Sequence, residues 1–440
     1  MAYRKTAATV LCLAAICGAA VLWPAVLWPA YKERAIERKL AEAARLCRAR
    51  AERGDKDAQS RLGNMYRKGQ GVPQDYAEAL RWYREAANQG DADAQYSLGN
   101  MYRKGQGMAQ DYAEALRWYR QAAGQGDAHA EYALGFMYRR GQGAPQDNAE
   151  ALRWYRQAAD KGEANAQYAL GFLYGNGEGV PRDYGEAVSW LRKAAGQGHA
   201  AAQSALGSMY YYGRGVPQDY AEAVQWYRRA AEQGEAAGQY DLGFSYAQGQ
   251  GVRQDFAQAV RWYRKAADQG DAMAQYGLAQ SYAHGRGVPR HYFVCVGLGV
   301  AQDDIEAARW FRKAAEQGLA DAQFLLGWSY YHGQGVPQDF AEAARWFGRA
   351  ADQGDANAQY YLAFRYYNGQ GVPRDCVRAR MWIGLAAARA SGNLKQDCAS
   401  GLDLLAREMT PDQIAEAERQ AGEWKPRKEP GAANRRDTEW

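Results

Sequence analysis

Residues that carry chemistry are scarce in this chain, which holds five histidines and six cysteines among 440 residues. His129, His199, His284, His291 and His332 have no spaced partner on a helix face, and neither an HExxH nor a GxSxG run occurs. Zinc-peptidase and serine-hydrolase signatures are therefore missing. Cys12, Cys17, Cys47, Cys295, Cys376 and Cys398 form no CxxC pair and no Cys/His ligand set, which argues against a metal site. If Cys376 and Cys398 each start one of two neighbouring antiparallel helices, their sulfurs lie at opposite ends, too far apart for a disulfide. A strong charge of one sign is also missing: 55 basic against 50 acidic residues leave +5, too little to imply nucleic acid. No catalytic residue, cofactor or metal is expected.

What is abundant points elsewhere. Tyrosine (32), tryptophan (14) and glycine (49) far outnumber phenylalanine (10), as when one motif is copied many times. From Gly54 the sequence recurs every 36 residues, with copies starting at Gly54, Gly90, Gly126, Gly162, Gly198, Gly234, Gly270, Gly318 and Gly354. The seventh copy is 48 residues long and so holds 12 extra, at about 287–298. A period of this size is the mark of stacked supersecondary units.

Each copy reads as two helices. Ala58, Leu62 and Tyr66 make an apolar stripe at spacing four, and Gly69-Gln70-Gly71-Val72-Pro73 ends that helix. Asp75 with Glu78 reads as a capping box for the second helix, and the pair recurs at Asp111/Glu114, Asp147/Glu150, Asp183/Glu186, Asp219/Glu222, Asp303/Glu306 and Asp339/Glu342. Ala79, Trp82, Tyr83 and Ala86 are the buried stripe of the second helix, with Glu78, Arg81 and Glu85 on its wet side. The Gly-x-Gly-Val turn lacks the Gly-Lys-Ser/Thr ending of a phosphate loop and follows a helix, so turn geometry explains it. Trp82, Trp118, Trp154, Trp190, Trp226, Trp262, Trp310, Trp346 and Trp382 share one register and read as core.

The A-Q-x-x-L-G-x-x-Y run, the G-x-G-V loop and the D-x-x-x-A-x-x-W-x-x-x-A-A-x-x-G helix resemble the Sel1-like repeat family, relatives of the tetratricopeptide arrays. The resemblance covers residues 54–389, about three quarters of the chain. It implies an all-α, right-handed α/α superhelical solenoid of nine repeats with capping helices. It also implies adaptor work on other proteins or peptides. A cysteine-rich branch of the family is linked to hydrolysis of β-lactams or cell-wall fragments, the alternative reading. That branch carries a regular cysteine pair in each repeat, which this chain lacks.

Around the array, Arg4 and Lys5 precede an uncharged run from Thr6 to Ala30, 25 residues, enough for a bilayer span or an export signal. Segment 1–30 is expected to be an anchor, or else a cleaved signal. The bulk is then exported, facing the periplasm or secreted, the opposite case being a membrane-tethered cytoplasmic array. Residues 31–53 read as a linking helix, 390–425 as capping helices with a Thr410/Gln413 capping box, and 426–440 as a disordered tail.

Positions that fail to repeat are the candidates for partner binding. One stripe on the first helices reads Asn64, Asn100, Phe136, Phe172, Ser208, Phe244, Gln280, Trp328 and Phe364. One turn on, Arg67-Lys68, Arg103-Lys104 and Arg139-Arg140 give way to Gly175-Asn176, Tyr211-Tyr212, Ala247-Gln248, Ala283-His284, Tyr331-His332 and Tyr367-Asn368. In related arrays the first helix lines the concave surface, so this stripe is a candidate groove, basic early and aromatic late. Tyr, Trp and Arg are the residues favoured at interface hot spots. The bland account is packing between repeats for the stripe and plain solvation for the Arg/Lys pairs. The apolar insertion His291–Leu298 is a second candidate contact, with accidental duplication as its bland account.

Overall fold

The computed structural model describes residues 28–286 and 303–427. All regular structure among them is helical. In chain order the helices are α1 (Trp28–Ala51), α2 (Lys56–Lys68), α3 (Tyr76–Asn88), α4 (Ala92–Lys104), α5 (Tyr112–Gly124), α6 (Ala128–Arg140), α7 (Asn148–Asp160) and α8 (Ala164–Asn176). They continue as α9 (Tyr184–Gly196), α10 (Ala200–Tyr212), α11 (Tyr220–Glu232), α12 (Ala236–Gln248), α13 (Phe256–Asp268), α14 (Ala272–Ala283) and α15 (Asp304–Glu316). The last are α16 (Ala320–His332), α17 (Phe340–Asp352), α18 (Ala356–Asn368), α19 (Cys376–Ala387), α20 (Gly392–Glu408) and α21 (Pro411–Glu423). The described residues fall into two compact units, one of residues 28–170 with 178–180 and the other of residues 171–177 with 181–286 and 303–427. Within each, the first helix of a repeat packs on its second helix, and that second helix on the next first helix, the arrangement of an all-α repeat solenoid.

Local rules set the helix ends. Asp75 is extended and its carboxylate accepts the N–H groups of Ala77 and Glu78 at 2.9 and 3.1 Å. The other half of the expected capping box does not form there. Glu78 instead accepts the Trp82 indole N–H at 3.1 Å, and Glu150, Glu222 and Glu342 do the same for Trp154, Trp226 and Trp346. The carboxylate thereby satisfies an indole donor at the edge of the core, whereas the cap N–H is already taken by the carbonyl of Tyr66 at 3.0 Å. The first helices carry caps of their own: Asp55, Asp91 and Asp127 accept from Ala58, Ala94 and Ala130 at 3.0, 2.7 and 2.6 Å. At the far end of the chain Thr410 and Gln413 form a complete box.

Two glycines hold the layers close in most repeats, the helical one being replaced by Ala279 and Ala363 in the seventh and ninth. Gly143 has φ of 75°, and a Cβ there would lie 2.5 Å from the Tyr112 carbonyl of the preceding repeat. Gly135 faces the ring of its own repeat's Tyr155, which an added Cβ would meet at 2.7 Å. Tyr155 stands in the register of Tyr83, which the sequence places in the core, and its side chain is 1% exposed. Of the nine register tryptophans, Trp82, Trp118, Trp190, Trp310, Trp346 and Trp382 are buried while Trp154, Trp226 and Trp262 are half-buried. A basic side chain covers the outer face of most of them, as Arg81 does for Trp82 at 4.8 Å and Lys193 for Trp190 at 3.7 Å.

A glutamine ladder, not foreseen from sequence, stitches the repeats. Gln59 donates from Nε2 to the Ala51 carbonyl at 3.1 Å, and its Oε1 accepts from Gln89, 30 residues on, at 2.7 Å. The same double link joins Gln95 to Ala87 and Gln125, and, in the second unit, Gln203 to Ala195 and Gln233. Cys47, Cys376 and Cys398 are free thiols. Among the described residues no helix is long and apolar enough to cross a membrane. The uncharged run 6–30 lies outside the described residues except for 28–30, and the insertion about 287–298 and most of the tail lie outside them entirely.

Candidate partner-binding face

First helices touch their counterparts in the next repeat, α2 on α4 in the first unit and α10 on α12 and α12 on α14 in the second. No pair of second helices packs as closely among the described residues. Closer spacing on that side makes the first helices the inner layer within each unit.

In the first unit the stripe begins with polar groups that already have work. Tyr83 donates its hydroxyl to Asn64 Oδ1 at 2.9 Å, and Arg67 donates to Asn64 Oδ1 and to the Tyr83 oxygen, both at 3.2 Å. Tyr119 likewise donates to Asn100 at 3.0 Å. Burial pushes Tyr119 up to about 12, with Arg103 opposing that rise. Asn64 and Asn100 thus satisfy an interior tyrosine, which gives them a structural role whatever else they do. Phe136 stands differently. It is half-buried between two guanidinium groups, Arg103 at 5.7 Å and Arg140 at 5.6 Å. Arg139 pairs with Glu178 at 3.1 Å, whereas Lys68, Lys104 and Arg140 are exposed. The face of this unit is basic, with one aromatic ring set into it.

In the second unit the stripe turns aromatic. Phe172 is half-buried. Tyr211 meets Tyr212, Tyr220 and Phe244 at 4.8, 5.1 and 6.4 Å and donates its hydroxyl to Gln250 at 2.5 Å. Further along, Trp328 stacks near His332 at 4.2 Å and meets Tyr361 edge-on at 5.1 Å. Tyr331 touches His332 and Phe340, and Phe364 packs on Tyr360 at 4.8 Å. Tyr367 donates to Glu408 at 2.6 Å, which also takes Arg374 at 2.9 Å. Ser208 repeats the structural role of Asn64, 3.3 Å from the Tyr227 hydroxyl. The structure therefore separates the candidates. The asparagines serve the core, while Phe136, Phe244, Trp328, Tyr331 and Phe364 present partly open rings.

One charged side chain buried beneath this face escaped the sequence reading. Arg365 is 4% exposed, lies over the Tyr331 ring at 4.0 Å, and has two buried nitrogens without partners. The signal that would have found it is an arginine in a column of Met, Leu and Ser.

The family model for the Sel1 repeat matches residues 56–91, 92–127, 128–163, 164–199, 200–235, 236–271, 272–290, 292–319, 320–355 and 356–391. The chain belongs to the Sel1 repeat family. Two of the ten matches, 272–290 and 292–319, divide the seventh copy at its extra residues. Among solved structures, a Sel1 repeat protein from Oxalobacter formigenes is 37% identical over 72% of this chain and 88% of its own, with a TM-score of 0.52. A protective antigen of uropathogenic Escherichia coli strains, displaying an SLR fold, is 34% identical over 90% of both chains, with a TM-score of 0.45. No curated protein matches the chain significantly. Sel1 repeat proteins are in general scaffolds for protein interaction, and no cluster of metal-ligating side chains occurs among the described residues.

Proposed function

We propose that the chain is a non-enzymatic adaptor that holds a partner protein or peptide along its first-helix faces. The observation that carries this is the half-buried aromatic set of the inner layer: Phe136 between two arginines, and Phe244, Trp328, Tyr331 and Phe364 in ring contacts. Rings that are already ordered lose little entropy when a partner covers them, and arginine beside them adds directional donors. The charged N-terminal pair and the uncharged run 6–30 support export, with the array anchored or released on the far side.

Pull-down from the source cells with wild type and with a Phe136→Ala, Phe172→Ala, Trp328→Ala, Phe364→Ala variant tests the groove. A variant at Glu232, exposed at the end of the second helix α11, serves as control. Selective loss of one partner in the groove variant, with an unchanged helical circular dichroism signal, is the expected result. Equal recovery from all three proteins would remove the assignment. A topology reporter fused after Trp440 tests export, which a cytoplasmic signal would reject.

A further inference from the structure

The column that holds Arg365 reads Met65, Met101, Met137, Leu173, Met209, Ser245, Ser281 and Ser329 in the earlier copies. It is a core column: Met101, Met137 and Leu173 are fully buried and Met209 and Ser245 are 1% exposed. Where the residue is polar, it is satisfied at once. Ser245, Ser281 and Ser329 donate to the carbonyl four residues back at 2.8, 2.8 and 3.0 Å. Only in α18 does a full charge occupy the column.

Arg365 is not satisfied in that way. It is 96% buried, as the complement of its 4% exposure, and neither Nε nor Nη1 has a hydrogen-bond partner among the described residues. Tyr331 covers the guanidinium face at 4.0 Å, but a ring interacts with the face and leaves the in-plane N–H groups unbonded. A buried cation whose donors are unpaired is strongly disfavoured, and a carboxylate is the planar acceptor that matches its fork. The rings beside the guanidinium are Tyr331, over its face, and Tyr361, one turn back on α18, both half-buried, and Trp328 lies edge-on to Tyr361 at 5.1 Å. Tyr331, the ring over the guanidinium, is itself half-buried, so a partner's acid would reach the fork by turning that ring aside. Aromatic walls suit a singly charged group flanked by apolar side chains better than a phosphate, which calls for more than one cation. A cation of the same repeat, Arg374, is already engaged by Glu408 at 2.9 Å.

We propose that Arg365 is the recognition point for an aspartate or glutamate side chain of a partner segment that carries aromatic residues beside the acid. This rests on the adaptor reading and adds the chemistry of what the adaptor holds. The guanidinium receives the carboxylate through Nε and Nη1, and Trp328 and Tyr361 pack against the flanking rings.

The test uses the full chain and two labelled probes, acetyl-Phe-Asp-Phe-amide and acetyl-Phe-Asn-Phe-amide, followed by fluorescence anisotropy. Wild type should bind the aspartate probe saturably and at least tenfold more tightly than the asparagine probe. Arg365→Met restores the residue found at 65, 101, 137 and 209. It should keep or raise Tm while abolishing that preference. In 15N-arginine-labelled protein, the Nε–H resonance missing from Arg365→Met should shift only with the aspartate probe. Equal affinity for the two probes, no saturable binding of the aspartate probe, or a preference that survives Arg365→Met would each overturn the proposal. Failure of the adaptor reading looks different. It is the absence of any groove-dependent partner, whereas a partner lost with the Phe136/Phe172/Trp328/Phe364 variant but indifferent to Arg365→Met rejects this site alone.

Discussion

The carboxylate of Glu131 lies 2.6 Å from Nζ of Lys161, at a rung where neighbouring repeats set one glutamine against another. Both partners have changed together, so the rung survives as an ion pair, with Glu131 buried and Lys161 partly open. Lys161→Met should strand a buried carboxylate and cost about 2 kcal/mol, less than a fully buried pair because the lysine is partly solvated. Glu131→Gln with Lys161→Gln restores the common rung and should return stability to near wild type. A double-mutant cycle by chemical unfolding reads the coupling, and additive single effects would contradict it.

Two glycines of the eighth repeat should respond oppositely to alanine. An added Cβ on Gly327 meets the Phe347 ring at 2.8 Å, so Gly327→Ala should lose about 1–3 kcal/mol. Gly348, inside α17, has nothing within 4 Å of that position, and Gly348→Ala should gain about 0.5–1 kcal/mol. Thermal unfolding of the two variants side by side decides the matter.

Alkaline pH should unfold the protein through its tyrosines. Burial raises Tyr83, Tyr155, Tyr227 and Tyr263, and takes Tyr119 from 10.0 to about 12. The folded state then holds protons that the unfolded state gives up from pH 10 upward. Stability supplied by these groups is complete below pH 10 and falls as pH rises toward 12. Absorbance at 295 nm followed with circular dichroism should show late tyrosine ionisation coinciding with loss of helix. Full ionisation near pH 10 with the helices intact would contradict it.

Removing the first-helix cap at Asp91, which accepts from Ala94 at 2.7 Å, should cost about 1 kcal/mol. Asp91→Asn should recover most of it. Urea midpoints for the two variants provide the measurement.

The array was legible in the sequence because nine copies average out local ambiguity: a helix repeated at one register with Asp75 before it and Gly69 after its partner needs no tertiary information. What remained hidden depends on groups that meet only in space. Glu78 follows the capping pattern, yet the Trp82 indole claims it, since the cap N–H is already bonded to the Tyr66 carbonyl. The Gln59–Gln89 link joins residues of different helices, and only the paired exchange at Glu131 and Lys161 hints at it. On the candidate face, Trp328 and Phe364 were visible as departures from the repeat. Asn64 looked equally open until its oxygen proved to be held by Tyr83. Arg365 was invisible because the column it occupies is buried in the folded chain, a fact that no spacing rule supplies.

The ladder has one further consequence at the seventh repeat. There Gln317 reaches Gln275 at 2.9 Å although 42 residues separate them, where the other rungs span 30. Lengthening that turn from 7 to 20 residues, counted between α4 and α5 and between α14 and α15, costs about 1 kcal/mol of closure entropy. The packing of the two helices of a repeat is thus independent of the amount of chain between them. The inter-helix turn becomes a port where evolution, or an engineer, can graft new sequence without disturbing the stack.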